Sequence, residues 1–264
     1  MIDINNPKPF PGHNLLQGKS VIVTAAAGAG IGFAVAKRAL EEGCRGLYIS
    51  DVHETRLRKA VDALLETAPH DEVYGCVCDV RDESHVQGFI DAASTKFSGI
   101  DIVFNNAGMG TSKLLVDMED DEWNQVIDIT LTGTMRMTRH SLRVMKAQNS
   151  GGAIINNASV LGWRAQTEQS HYAAAKAGVM ALTRCVALEA APLGVRINAV
   201  APSLATHPFL KKSAPAELLN ALEQKEAYGR GAEVWEVANV MMFLASDYSS
   251  YMTGETVSCS SQRG

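Results

Sequence analysis

Ser20-Val-Ile-Val-Thr24-Ala-Ala-Ala-Gly28-Ala-Gly30-Ile31-Gly32 decides the reading of this chain. A short apolar run ends at Thr24. Small residues follow, and from Ile31 to Glu42 the apolar positions recur at helical spacing. Glycines let a backbone turn tightly and come close to a pyrophosphate, whose charge is favoured at a helix N-terminus. The bland alternative is a helix-entry loop whose small residues serve packing alone. The strand–turn–helix context favours the dinucleotide reading.

Working outward, Gly46-Leu-Tyr-Ile-Ser50 is a second apolar strand, and Asp51 follows it nineteen residues after Gly32. An acidic side chain there can accept hydrogen bonds from both adenosine ribose hydroxyls and would repel a 2′-phosphate. Neither the glycine turn nor the position after Asp51 carries Lys or Arg. The pattern therefore favours NAD over NADP. Asp79 closes a third strand, where a carboxylate can reach an adenine amino group, and Asn105-Asn106-Ala107-Gly108 closes a fourth. Strands are expected at Val73–Cys78, Asp101–Phe104, Ala153–Asn157, Val195–Val200 and about Glu255–Ser258. Helices are expected at Glu54–Thr67, Glu83–Phe97, Tyr172–Ala191 and Glu233–Ser246. A long helix over Asp120–Gln148 should be bent or interrupted around Gly133. Continuous apolar strands alternating with helices predict an α/β fold with a parallel sheet covered on both faces. No repeat or linker divides the 264 residues, so one domain is expected, with a Pro-rich surface arm over residues 1–14 and a variable loop or lid over about 203–230.

Composition narrows the function. Net charge is -5, and no basic run exceeds Lys211-Lys212, which argues against nucleic acid as the main partner. No stretch of 18 apolar residues predicts a membrane span, and the first residues lack the basic-then-apolar pattern of a secretory signal. Five scattered cysteines read as reduced thiols of a cytoplasmic protein. Cys76 and Cys78 lack the further ligands a metal site needs, and no metal is expected.

Tyr172 and Lys176 lie four residues apart, on one face of an expected helix, and Ser159 stands thirteen residues before the tyrosine. A nearby cation favours a phenolate, which makes a tyrosine a usable proton donor and acceptor near neutral pH. The serine hydroxyl could hold the oxygen that receives the proton.

Together these residues resemble the short-chain dehydrogenase/reductase family, over about Leu15 to Val257. The likeness rests on the glycine turn, Asp79, Asn105-Asn-Ala-Gly108, Ser159, Tyr172-x-x-x-Lys176, Asn198-Ala-Val-Ala-Pro202, and Phe243-Leu-Ala-Ser246 with Thr253-Gly254. Within the family the chain is similar to 3-oxoacyl-thioester reductases and hydroxysteroid dehydrogenases. The resemblance implies a single-domain, doubly wound, Rossmann-type sheet of seven parallel strands. It implies Tyr172 as general acid and base, Lys176 as the group that lowers the tyrosine pKa and holds the nicotinamide ribose, and Ser159 as stabiliser of the substrate oxygen. Cofactor contacts are then expected from Thr24, Gly28, Gly30, Ile31, Gly32, Asp51, Asp79, Val80, Asn106, Ala107, Gly108, Tyr172, Lys176, Pro202 and Ser203, and from Thr206 or His207.

The departures are specific. The family's glycine turn usually begins Thr-Gly and is one residue shorter than this one; here Ala25 and Ala26 occupy that stretch. Where the family has Asn-Leu-x-Gly in its long helix, this chain has Thr130-Leu-Thr-Gly133, so Thr130 stands in the place of an asparagine that supports a proton relay. Ser203 replaces a glycine, and His207 falls at a threonine place with Thr206 one residue earlier.

Met109, Leu161, Trp163, Arg164 and Phe209 are candidates for the substrate pocket, and His171 reads as a rim or capping residue. The resemblance implies an NAD(H)-dependent alcohol/ketone oxidoreductase, acting on a 3-oxoacyl or 3-hydroxyacyl thioester, with coenzyme A as a candidate carrier. The alternatives are a steroid-derived or other bulky alicyclic substrate, and a non-catalytic NAD-binding regulator. Related proteins pair through the two long helices, so a homotetramer is expected, with a homodimer second.

Overall fold

In the computed structural model, residues 4, 6–68, 72–207, 210 and 216–262 are described. Seven strands form one parallel sheet: β1 (Ser20–Val23), β2 (Gly46–Asp51), β3 (Glu72–Val77), β4 (Ile102–Asn105), β5 (Gly152–Asn157), β6 (Val195–Pro202) and β9 (Thr256–Cys259). Their order is β3-β2-β1-β4-β5-β6-β9. Successive side chains of a strand point to opposite faces, and the core divides accordingly. Val21, Val23, Leu47, Ile49, Phe104 and Ile155 pack on one face with α1 (Ile31–Glu41), α2 (Glu54–Thr67) and α8 (Val234–Ala245). Ile22, Val103, Ile154 and Ile197 pack on the other, with α3 (Glu83–Phe97), α5 (Gly133–Gln148) and α6 (Ser170–Ala190).

Strand order reverses between β1 and β4, which pair in parallel with Val21 opposite Ile102 and Val23 opposite Phe104. In open α/β sheets the crevice at the carboxyl end of such a reversal is where ligands bind. A buried polar ladder fixes the neighbouring strands: Asn105 Nδ2 donates to Asn156 Oδ1 at 2.9 Å, and Asn156 Nδ2 donates to Thr183 Oγ1 of α6 at 2.9 Å.

The long helix is interrupted, as its sequence predicts, but ahead of Gly133 and not by a break. It runs as α4 (Asp120–Ile127), a π-helical turn over Asp128–Thr132, and α5. Beyond β6, the short strands β7 (Ala205–Thr206) and β8 (Ala232–Glu233) pair in parallel, with α7 (Ala216–Glu223) between them. The arm over residues 6–15 is mostly exposed yet tethered: the backbone N–H groups of His13 and Leu15 donate to the Glu42 carboxylate, itself fully buried and paired with Arg38 at 2.6 Å. Among the described residues no helix is long and apolar enough to cross a membrane, and no cluster of three metal-ligating side chains forms.

Candidate active site

The turn after β1 is braced from β4. The Thr24 hydroxyl accepts from the backbone N–H groups of Asn106 and Ala107 at 2.9 and 3.0 Å. Asn106 Nδ2 donates to the carbonyls of Thr24 and Ala25, and its Oδ1 accepts from Asn157 Nδ2. Thr24 and Asn106, expected as cofactor contacts, therefore spend these groups on holding the turn; Thr24 is only 1% exposed. Glycine is required at Gly32, where a Cβ would lie 2.3 Å from the Ala25 carbonyl oxygen. Gly28 and Gly30 face open space. Ile31 opens α1, whose N-terminus has no side-chain cap and no acidic residue in its first turn. An uncapped, unopposed helix N-terminus beside open glycines fits an anionic diphosphate.

Asp51 ends β2 almost fully buried. Its carboxylate accepts from the N–H groups of Ala27 at 3.3 Å and His53 at 3.0 Å, and Arg56 approaches it to 3.5 Å. Asp79 is gripped by its neighbour: Arg81 donates to both carboxylate oxygens, which holds the Asp79 carboxyl below its usual range. Val80, expected at the cofactor, is buried against Gly133 beneath the π-turn, so its side chain belongs to the core.

Tyr172 lies half-buried in the first turn of α6, with Lys176 one turn on. The Lys176 Nζ is 5.5 Å from the centre of the Tyr172 ring and donates to the Asn157 carbonyl at 2.5 Å. Ser159 caps the turn after β5; its Oγ accepts from the Leu161 N–H at 3.2 Å, which leaves its own proton to donate. Burial pushes the Tyr172 phenol up to about 12, against a lowering by the Ser159 hydrogen bond, and burial pushes Lys176 down to about 8. Desolvation is the larger influence on the phenol, which stays protonated near neutral pH.

Thr130 sits in the π-turn, fully buried. Its hydroxyl donates to the Met109 carbonyl at 3.1 Å and accepts from the Met109 N–H at 3.2 Å. It thereby ties the helix to the loop after β4. Gly108, in that loop, lies against the Lys176 Nζ.

Pro202 ends β6, and the Ser203 N–H donates to the Cys259 carbonyl. The Thr206 hydroxyl donates to the Ala232 carbonyl at 3.3 Å, within the β7–β8 ribbon, whereas His207 Nδ1 accepts from the Leu210 N–H at 3.3 Å. Trp163 and Arg164 are exposed beyond Ser159, and Leu161 is half-buried. Arg164 donates to Gln262 Oε1, and the backbone and hydroxyl of neighbouring Ser261 donate to the buried Glu226. These contacts of Gln262 and Glu226 were not legible in the sequence, since nothing local marks them. Phe209 lies outside the described residues.

His171 corrects an expectation. It is 0% exposed, neither a rim residue nor a cap, and Nε2 meets the Thr111 hydroxyl at 2.7 Å.

Comparison with known proteins agrees with this geometry. Residues 25–261 match the family model described as enoyl-(acyl carrier protein) reductase. The chain is 56% identical to the (5R,7aS)-5-hydroxy-7a-methyl-1-oxo-2,3,5,6,7,7a-hexahydro-1H-indene-carboxyl-CoA reductase of Mycobacterium tuberculosis, over 97% of each chain. It is 37% identical to levodione reductase of Leifsonia aquatica, over 90% of this chain and 91% of the relative. The crystal structure of a short-chain dehydrogenase from Mycobacterium smegmatis superposes with a TM-score of 0.88 at 51% identity, covering 99% of this chain and 100% of that one. With a reversed parallel sheet, a braced glycine turn and a Tyr-x-x-x-Lys helix beside Ser159, the chain belongs to the short-chain dehydrogenase/reductase family of oxidoreductases, which act on alcohol and ketone groups with a nicotinamide cofactor.

Proposed function

We propose that this chain interconverts a secondary alcohol and a ketone with NAD(H), on an alicyclic ring carried as a coenzyme A thioester. The observation that carries the reading is the grouping of the Tyr172 phenol, the Ser159 hydroxyl and the Lys176 ammonium at the carboxyl edge of the sheet. The substrate class rests on the Mycobacterium tuberculosis relative, whose name joins a bicyclic ring hydroxyl to a CoA thioester. The two substrate features expected from the sequence, a thioester and a bulky alicyclic ring, thus meet in one molecule. Asp51 supports NAD over NADP, because a ribose 2′-phosphate would face its buried carboxylate.

The bound nicotinamide would supply or take the hydride. In reduction, Tyr172 gives its proton to the carbonyl oxygen, and burial keeps that proton in place until substrate arrives. Ser159, with its oxygen already accepting from Leu161, donates to the same oxygen as it gains negative charge. Lys176 and the α6 N-terminus both stabilise the phenolate left behind.

The test supplies purified protein with NADH or NADPH and a panel of cyclic ketones and 3-oxoacyl-CoA thioesters, while reduced-cofactor absorbance is followed. Tyr172→Phe should lose about 100-fold or more of turnover and keep its NADH affinity. A variant as fast as the wild type would refute the assignment of the proton donor. NADH binding without turnover of any ketone would favour the regulator reading, and a strong NADPH preference would overturn the role given to Asp51.

A further inference from the structure

Gly110 presses on the reacting tyrosine. A Cβ there would lie 2.9 Å from Tyr172 Cδ2, so the loop backbone packs against the edge of the ring. That loop is tied down on both sides of Gly110. On one side Met109 is held by Thr130 through two hydrogen bonds. On the other, Thr111 is held three ways: its hydroxyl donates to Glu122 Oε1 of α4 at 2.5 Å, the same oxygen meets His171 Nε2 at 2.7 Å, and its carbonyl accepts from Gln169 Nε2 at 2.7 Å. The Lys113 N–H then donates to the Glu168 carbonyl.

A hydroxyl has one proton. The contact with the Glu122 carboxylate takes the proton of Thr111, so the threonine oxygen must accept the Nε2–H of His171. This places a proton on Nε2, as in the neutral Nε2–H tautomer. Burial agrees, holding the His171 pKa below its ordinary value against the pull of Glu122. His171 Nδ1 is buried without a partner among the described residues, so a second ring proton would have nowhere to donate.

We propose that His171 is a positioning residue: through Thr111 and Glu122 it locks Gly110 against the Tyr172 ring and so sets the direction of the phenol toward the substrate oxygen. His171 precedes Tyr172 directly in α6, so the helix that presents the phenol also fastens the loop that orients it. The proposal rests on the reading of Tyr172 as proton donor.

The test compares the wild type with Thr111→Val, Thr111→Ser and His171→Leu, using NADH and a ketone that the wild type reduces. Hydrogen exchange of the 107–114 segment is followed in parallel, without substrate. Displacing a proton donor from its reactive geometry should lower kcat about 10- to 100-fold in Thr111→Val and His171→Leu, with KM and NADH affinity little changed. The serine variant keeps the hydroxyl and should recover most of the rate. Exchange over 107–114 should quicken in the valine and leucine variants and not in the serine variant. An unchanged kcat in Thr111→Val, a loss confined to KM, or failure of serine to rescue would overturn the proposal. If the wild type reduces no ketone, the reading of Tyr172 fails, and exchange alone decides the clamp: unchanged exchange in Thr111→Val refutes it, and faster exchange confined to the loop supports it.

Discussion

Lys176 holds an ammonium at a position only 3% exposed, and burial pushes its pKa down to about 8 from an ordinary value of 10.5. Between those values the unfolded chain binds the proton that the folded chain has released, so stability should rise with pH across this window. Tyr172 does not oppose the trend there. Its folded value of about 12 lies above its ordinary 10.0, so it costs stability only as pH climbs past 10. We predict that the wild type gains on Lys176→Met by on the order of 1–3 kcal/mol between pH 7.5 and 10, read from urea unfolding at a series of pH values. A constant difference would show that the ammonium is better solvated than its burial implies. Residue types and spacing made Ser159, Tyr172 and Lys176 legible in the sequence. The grip of Arg81 on Asp79 and the seating of His171 were not, because both depend on where a neighbouring backbone turns the side chain.

Between β1 and α1 the chain uses an alanine where a left-handed conformation is needed. Ala25 has φ 51, a region that disfavours any residue with a Cβ. This is the stretch where the sequence departs from the family's Thr-Gly, and the extra residue is accommodated with Gly32 still packed under the Ala25 carbonyl. Ala25→Gly should relieve the strain by more than the added freedom of the unfolded glycine costs. The expected net gain is about 0.5 kcal/mol, or a rise of roughly 1–2 °C in Tm, measured by calorimetry. A fall in Tm would mean that the alanine methyl group contributes packing that outweighs the strain. The parallel strands were legible as continuous apolar runs, and their ends moved by a residue or so. The π-turn was legible only as a disturbance near Gly133. One widened turn leaves the apolar spacing of a long helix almost unchanged, so nothing in the pattern marks Asp128–Thr132 as its place. The β7–β8 ribbon was missed because two-residue strands carry no alternation to read.

Over the whole molecule, the apolar surface left outside the core is uneven. Leu188 on α6 and Tyr248 beyond α8 are largely exposed, and Tyr251 is fully so. Contact with a second copy of the chain would cover such side chains. We predict a homotetramer, with light scattering giving about four times the 28.3 kDa chain mass, and Tyr251→Asp shifting the population toward smaller species. A monomer at micromolar concentration would refute it. A parallel sheet covered on both faces followed from the alternation of elements; its strand order did not. The coupling between distant segments did not, since no local rule joins residues 98 positions apart as Arg164 and Gln262 are joined. That tie has a practical reach. The loop that follows Ser159 is tied at Arg164 to Gln262, far along the chain, so a change at residue 262 is felt a short stretch of backbone away from a reacting hydroxyl without touching it.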